Sequence, residues 1–286
     1  MRSFGTVLLM GALLTGCSKK PSGTYDVPDA VTDATSDNAE ADALWEQRSD
    51  KASLEQALSL YEAAYQADPR NREVAGRIVR GWYFMGDVHE TDPAAKEAAW
   101  DTAISWGKKC LAINDEFTAR VNAGESEEEA STSLGADDIP CMYWTATSLG
   151  KWARMKGLPT LLKHKATVFV YISKISELQP DYFHGAADRY WGAYYAALPS
   201  FAGQDLGRSL EHFDASIAMA PNYLGTRVLK ADYWAVRTQN RDAFTTLLNE
   251  VISADATVDP TIQAENEAEQ AKAQALLDNI DEYFAN

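Results

Sequence analysis

The chain has few of the residues and motifs on which catalysis usually depends. It carries four histidines and three cysteines among 286 residues, and it has no CxxC pair. It also lacks a GxSxG elbow, an HExxH metal motif, a phosphate-binding glycine loop and the alternating aspartates of an EF-hand. We therefore predict a protein that is not an enzyme and that needs neither a cofactor nor a metal.

Positive charge is scarce as well. Lys and Arg number 26 against 42 Asp and Glu, which gives a net charge of -16. Nucleic acids and anionic membrane surfaces are bound by clustered basic residues. The composition thus argues against nucleic-acid binding. Hydrophobic residues make up 46% of the chain, which is enough to build a substantial folded core.

Long apolar runs are missing too, and the run at residues 7–14 is too short to span a bilayer as a helix. It follows Arg2 and leads into the letters LTGC at residues 14–17, an arrangement that resembles the lipobox of bacterial lipoproteins. This resemblance implies a signal peptide over residues 1–16 and acylation of Cys17. The alternative is an ordinary secretory signal in which small residues precede a cysteine by chance.

The residues after Cys17 predict how the folded part is attached. Ser18 in place of an aspartate resembles the pattern of lipoproteins exported to the outer membrane, so we expect a periplasmic, lipid-anchored protein. Residues 17–38 are rich in Ser, Thr, Asp, Pro and Gly and predict a flexible acylated tether. Residues 39–286 then form one helical domain.

Helical signals dominate this domain, with no sustained two-residue alternation that would indicate strands. Ser53 and Gln56 form a capping-box pattern ahead of an apolar stripe. Asp92 and Pro93 predict an N-cap followed by proline at the first helical position. Further helices are predicted at about 72–86, 138–156, 159–178, 183–198, 205–219, 223–238, 241–253 and 261–284, with a shorter one at 125–134.

A recurring pattern places a small residue, an aromatic at +4, a small residue at +7 and proline at +12. It occurs at Ala57, Tyr61, Ala64 and Pro69, and again at Ser209, Phe213, Ser216 and Pro221. Such spacing is typical of tetratricopeptide (TPR) repeats, which recur about every 34 residues. With two looser copies, the pattern here ends at positions separated by 46, 65 and 41 residues. We therefore predict an all-α fold, a TPR-like stack of antiparallel helix pairs in an irregular α-solenoid.

Aromatic residues cluster on several of these helices, and two interpretations stay open. The rings fill the seams between paired helices, or some of them line a cavity for an apolar or amphipathic ligand. Under the second interpretation, the candidate ligand-binding residues are Trp82, Trp144, Trp152, Tyr190, Trp191, Tyr194 and Tyr195. Cys110 and Cys141 also leave two alternatives, a disulfide bond or two separate buried thiols.

Several segments together resemble one known family. They are RGWYFMGD at 80–87, IPCMYWTATSLGKWARMKG at 139–157, YWGAYYAALP at 190–199, GRSLEHFDASIAMAPNYLGTRVLKADYWA at 207–235 and AKAQALLDNIDEYF at 271–284. In this order they resemble the T-component (TatT) family of tripartite ATP-independent periplasmic (TRAP) transporters.

The resemblance implies a periplasmic lipoprotein built of TPR-like helices that associates into a homotrimer. It also implies a substrate-binding P-component as partner and a hydrophobic or organic-acid ligand. We therefore expect an accessory transport component that binds or relays a small ligand and docks a substrate-binding protein. The alternative is a TPR-like scaffold lipoprotein for envelope protein assembly with no small ligand.

Overall fold

Helices form almost all of the part of the chain that the structure describes. The computed structural model describes residues 25–31 and 38–284, and no β-strand occurs in these two ranges, which confirms the predicted all-α fold. The α-helices in chain order are α1 (Ala39–Trp45), α2 (Lys51–Ala67), α3 (Arg72–Phe84), α4 (Pro93–Ala112), α5 (Asp115–Asn122), α6 (Glu127–Ala130), α7 (Ile139–Lys156), α8 (Leu158–Leu178), α9 (Tyr182–Ala197), α10 (Leu206–Met219), α11 (Gly225–Leu229), α12 (Arg241–Ser253) and α13 (Gln263–Asp278).

Short segments of other helix types complete the fold. Two π-helical segments, Met85–His89 and Lys230–Ala235, continue α3 and α11 directly. Single 3₁₀ turns occur at Ser131–Ser133, Ala136–Asp138, Ser200–Ala202, Pro260–Ile262 and Ile280–Glu282.

The starts of α2 and α4 test the capping signals that were predicted from the sequence. The Asp92 side chain accepts a hydrogen bond from the backbone N–H of Ala95 at 3.0 Å, and Pro93 opens α4, as predicted. The predicted capping box at Ser53 is wrong. The N-cap of α2 is Asp50, which accepts from the N–H of Ser53 at 2.8 Å. An aspartate satisfies that orphan donor, so the helix begins three residues earlier.

Neighbouring helices pack in pairs joined by short connections: α1 on α2, α3 on α4, α7 on α8, α9 on α10 and α12 on α13. Short connections make such pairs antiparallel. The residues of the recurring sequence pattern are buried in these packed elements, namely Ala57, Tyr61 and Ala64 in α2 and Ser209, Phe213 and Ser216 in α10. The TPR-like solenoid itself stays a prediction.

The apolar interior consists of two clusters. The larger extends from Tyr25 to Trp191 and includes Ala264 of α13. The smaller is formed by α11, α12, α13 and the C-terminal Phe284, around Phe244 and Leu248. Helix α13 therefore contributes to both clusters.

A disulfide bond lies within the larger cluster and joins two of its helices. Cys110 of α4 is bonded to Cys141 of α7, and their Cα atoms lie 5.5 Å apart. Both cysteines are fully buried. The sequence left open a disulfide bond or two separate thiols, and the structure contains the disulfide bond.

Part of the predicted tether lies against the helices. The Tyr25 ring is buried and meets the Phe117 ring edge to face at 5.2 Å, and the N–H of Val31 donates to the carbonyl of Gln66. Burial of the Tyr25 ring and this backbone hydrogen bond hold an otherwise polar segment against the helices. The predicted signal peptide and Cys17 lie outside the described residues, and the domain boundaries stay predictions.

Candidate ligand-binding cavity

A cavity of about 960 Å³ lies between the two apolar clusters. Its walls come from α3, α7, α8 and α9 on one side and from α11 and α13 on the other. Cavities that hold small ligands occupy about 300 to 1,000 Å³ and are mostly apolar with a few placed polar groups. The size of this cavity is therefore sufficient for a small organic molecule.

Aromatic rings in mutual contact form one wall. Trp144 is in the centre of this wall, with its ring centroid 5.3 Å from Tyr83, 4.7 Å from Tyr143 and 4.8 Å from Phe183. Tyr190 extends the lining along α9. Such edge-to-face and tilted contacts fix ring positions, because each ring is held by its neighbours. The wall is thus rigid and amphipathic.

Both π-helical segments face the cavity. Met85–His89 supplies Asp87 and Val88 to the lining, and Lys230–Ala235 supplies Asp232 and Tyr233. A π-helical turn is rare in proteins and is frequently found at functional sites. Two such turns in the lining of one cavity make it the candidate functional site.

An ion-pair cluster centred on Asp87 joins the π-helical segment after α3 to α7 and α13. The Asp87 carboxylate binds Lys151 Nζ of α7 and Lys272 Nζ of α13, each at 2.6 Å, and Lys272 also binds Glu269 at 2.7 Å. Burial alone would raise the pKa of Asp87, but the two lysines hold that pKa well below its usual value. This cluster is charged and balanced, with two cations and two anions.

A second cluster joins α13 to the N-terminal helices. Glu265 accepts from Arg48 Nη2 at 2.6 Å and from Arg80 Nη2 at 2.7 Å. Burial raises the pKa of Glu265, yet the two arginines overcome that effect and lower it. The Arg80 guanidinium also lies 4.7 Å from the Phe183 ring centroid, over its face. This cluster has one cation more than it has anions.

The start of α9 has an unusual backbone. Phe183 and His184 adopt left-handed conformations with φ of 39° and 60°, followed by Gly185 at 70°. A left-handed residue other than glycine costs of the order of 1–3 kcal/mol and is kept mainly at functional sites. The turn directs the carbonyls of Phe183 and His184 toward the Arg189 guanidinium, whose Nη2 and Nη1 donate to them at 3.1 and 3.0 Å.

Arg189 is the most enclosed cation of the lining. Its residue is 3% exposed, and its Cζ lies 4.3 Å from the Tyr223 ring centroid. A third hydrogen bond runs from Nη2 to the Tyr143 hydroxyl at 3.0 Å. All three acceptors are uncharged. Arg189 therefore differs from Arg80 and Lys272, whose partners are carboxylates.

Three of the seven predicted ligand-binding residues lie on the cavity wall: Trp144, Tyr190 and Tyr194. The structure brings these together from α7 and α9. Their roles in binding stay predictions.

The other four predicted residues do not line the cavity. Trp82 donates from its indole N–H to Glu62 at 3.0 Å, and Trp191 donates to the Ser176 hydroxyl of α8 at 3.0 Å. The two remaining rings contact histidines, Trp152 meeting His164 edge to face and Tyr195 stacking on His212. These four side chains pack in seams between helices, which was the other interpretation of the aromatic clusters.

The charged groups of the cavity were not anticipated from the sequence. Arg80, Asp87 and Arg189 each stand in a stretch rich in aromatic or small residues, such as VRGWYFMGD at 79–87. Charged residues are seldom buried unless they are paired. A charge inside an aromatic segment was therefore the signal that could have found them.

Two further properties concern the described residues alone. Within residues 25–31 and 38–284, no three His, Cys, Asp or Glu side chains are grouped as metal ligands. No helix in these ranges has both the length and the apolar character needed to cross a membrane.

Together, the fold and the site define an all-helical protein that encloses an aromatic, positively charged cavity. The sequence pattern of the TRAP transporter T-component family matches residues 49–284. The chain belongs to this family, and it is thus an accessory component of a TRAP transporter that associates with other parts of that system. Among curated proteins, no sequence matches the chain.

Proposed function

We propose that this T-component binds a small organic or hydrophobic ligand in the cavity and passes it to, or receives it from, a substrate-binding protein. The observation that carries the proposal is the cavity of about 960 Å³ walled by Trp144, Tyr190 and Tyr194. Tyr and Trp are suited to amphipathic ligands because each ring has an apolar body and a polar tip.

Cavity occupancy can be tested with N-phenyl-1-naphthylamine, a neutral apolar fluorophore. Titration is expected to enhance the probe fluorescence and to quench tryptophan emission. Trp144→Phe should remove a larger share of the quenching than the control Trp82→Phe, because Trp82 bonds to Glu62 away from the cavity. Equal quenching in both variants, or no binding at all, would contradict the proposal and favour a scaffold without a small ligand.

We also propose that the protein acts in the periplasm, held to the outer membrane by lipid on Cys17. The lipobox-like letters LTGC at residues 14–17 support the anchor. The Cys110 to Cys141 bond supports an extracytoplasmic position, since disulfides persist in oxidising compartments.

Docking of the substrate-binding protein is the third part of the proposal. Family membership supports it, because a T-component works with other TRAP parts. Helix α8 supports it as well: Leu158 lines the cavity while Leu162 and Phe169, on the same helix, are exposed apolar residues. Calorimetric titration with the purified substrate-binding protein of the same transporter should give saturable binding that Leu162→Asp weakens. Binding that is absent, or that is indifferent to this change, would contradict α8 as the docking surface.

A further inference from the structure

Arg189 is a buried cation, and no carboxylate among the described residues forms an ion pair with it. Its three hydrogen-bond partners are the Tyr143 hydroxyl and the carbonyls of Phe183 and His184. Carbonyls and hydroxyls solvate a guanidinium, but they do not neutralise it. A buried charge without a counter-ion costs several kcal/mol, and it is rare unless a partner arrives from elsewhere.

The carboxylates on the facing helix are already engaged. On α13, Glu265 is shared by Arg48 and Arg80, and Glu269 is bonded to Lys272. Neither forms an ion pair with Arg189 in the part of the chain that is described. The wall around Arg189 therefore has an excess of positive charge, although the whole chain carries a net charge of -16.

The tyrosines near Arg189 do not supply the missing charge. Burial raises the pKa of Tyr83 well above its usual value, and burial likewise raises that of Tyr223. Both rings therefore stay protonated at neutral pH. As neutral hydroxyls they are hydrogen-bond donors, which suits an anionic oxygen beside a guanidinium.

We propose that Arg189 binds the carboxylate of the cavity's ligand, and that this ligand is a monocarboxylate with an apolar tail. One uncompensated guanidinium matches one carboxylate in charge and can form a charge-assisted hydrogen bond with it beside the three bonds that it already makes. Beyond this head-group position, the lining offers Leu161, Val168, Val228 and Leu276 to an apolar tail. The inference rests on the proposed function, because it concerns the same cavity.

Arg189 also has a structural role, since it holds the carbonyls of the left-handed turn at Phe183 and His184. The test must separate this role from ligand binding. Decanoate and 1-decanol share a ten-carbon chain and differ in charge, so their comparison on the unaltered protein needs no variant. Displacement of N-phenyl-1-naphthylamine reports the affinity of each.

We expect decanoate to bind the unaltered protein at least tenfold more tightly than decanol. Arg189→Gln should weaken decanoate binding about 10- to 100-fold and leave decanol binding unchanged. Arg189→Lys, which keeps the charge but loses the planar guanidinium, should retain part of the decanoate preference. The control Arg70→Gln should retain all of it, because Arg70 is exposed, pairs with Asp115 and does not line the cavity.

The outcomes are distinct. Equal affinity for decanoate and decanol would overturn the role of Arg189 while leaving the cavity function in place. An equal loss of both ligands in Arg189→Gln would show that the arginine only supports the turn. Failure of both ligands and of the fluorophore to bind the unaltered protein would instead overturn the proposed function itself.

Discussion

Asp87 and Lys272 form an ion pair at 2.6 Å across 185 residues of sequence. Asp87 lies in the π-helical segment that follows α3, and Lys272 lies in α13. Lys151 of α7 binds the other carboxylate oxygen of Asp87 at the same distance. One carboxylate thus fixes three parts of the chain at the wall of the cavity.

Replacing this carboxylate should destabilise the whole protein. Asp87→Asn leaves two half-buried lysines facing an uncharged amide, and breaking a fully buried pair costs about 3–5 kcal/mol, so a loss of about 2–3 kcal/mol is expected here. Urea unfolding followed by circular dichroism measures the change. The control Asp115→Asn removes an exposed pair with Arg70 and should change the free energy of unfolding very little. Similar losses in both variants would contradict the importance of burial here.

The same carboxylate predicts a pH dependence. The pKa of Asp87 is lowered in the folded protein, whereas an unfolded aspartate has a pKa of about 3.9. Its contribution to stability is therefore complete above about pH 4 and is lost as the pH falls toward the folded value. Urea midpoints measured between pH 7 and pH 2 should fall more steeply for the unaltered protein than for Asp87→Asn. Parallel profiles would show that other groups control the acid transition.

Reduction of the disulfide should lower the unfolding temperature. Cys110 and Cys141 are 31 residues apart. A cross-link that closes a loop of that length reduces the entropy of the unfolded chain and so stabilises the folded protein by about 3–4 kcal/mol. Differential scanning calorimetry with and without a phosphine reductant measures the shift in Tm. The double variant Cys110→Ala, Cys141→Ala serves as the control and should not respond to the reductant. A reductant-induced shift that persists in this variant would assign the effect to another group.

The contact between α9 and α10 depends on a glycine. A Cβ on Gly192 would lie 2.6 Å from Phe213 Cγ, which is buried in α10. Gly192→Ala should therefore force the two helices apart at a cost of about 1–3 kcal/mol, visible as a lower Tm. Gly135→Ala is the matched control, since nothing lies within 4 Å of its added Cβ. An unchanged Tm for Gly192→Ala would mean that Phe213 adopts another rotamer freely.

Acylation of Cys17 predicts that the mature protein is heavier than its Cys17→Ser variant by the mass of the lipid. The full chain expressed with its leader should yield a mature protein that begins at an acylated Cys17, and it should partition into the membrane fraction. Two acyl chains are needed for stable anchoring. Cys17→Ser should lose the lipid mass and appear in the periplasmic extract, as intact mass spectrometry and fractionation will show. A mature terminus at another residue would contradict the lipoprotein prediction.

Local features of the fold could be predicted from sequence to within a few residues. The start of α4 at Asp92 and Pro93 was read correctly, because a cap and a proline act within one helical turn. The start of α2 was misplaced at Ser53, since Asp50 competes for the same backbone N–H. The left-handed turn at Phe183 gave no local signal, because a bulky residue rarely adopts positive φ and no capping pattern marks Arg189, which binds its carbonyl.

The site was predicted only in part, for a geometric reason. Helical spacing groups Tyr190 with Tyr194 and Trp191 with Tyr195, but it does not say which face meets the cavity. The structure turns the first pair to the cavity and the second to neighbouring helices. Partners such as Glu265 for Arg48 are separated by 217 residues, so no pattern along the chain could pair them.

The position of α13 late in the sequence determines when the cavity can form. Because a polypeptide is made from its amino end, Arg48, Arg80 and Asp87 emerge long before Glu265 and Lys272, which complete their ion pairs. A chain that stops before residue 263 lacks the wall that α13 contributes, and these three residues lack the charged partners that α13 supplies. The complete cavity can therefore form only after the last segment has left the ribosome.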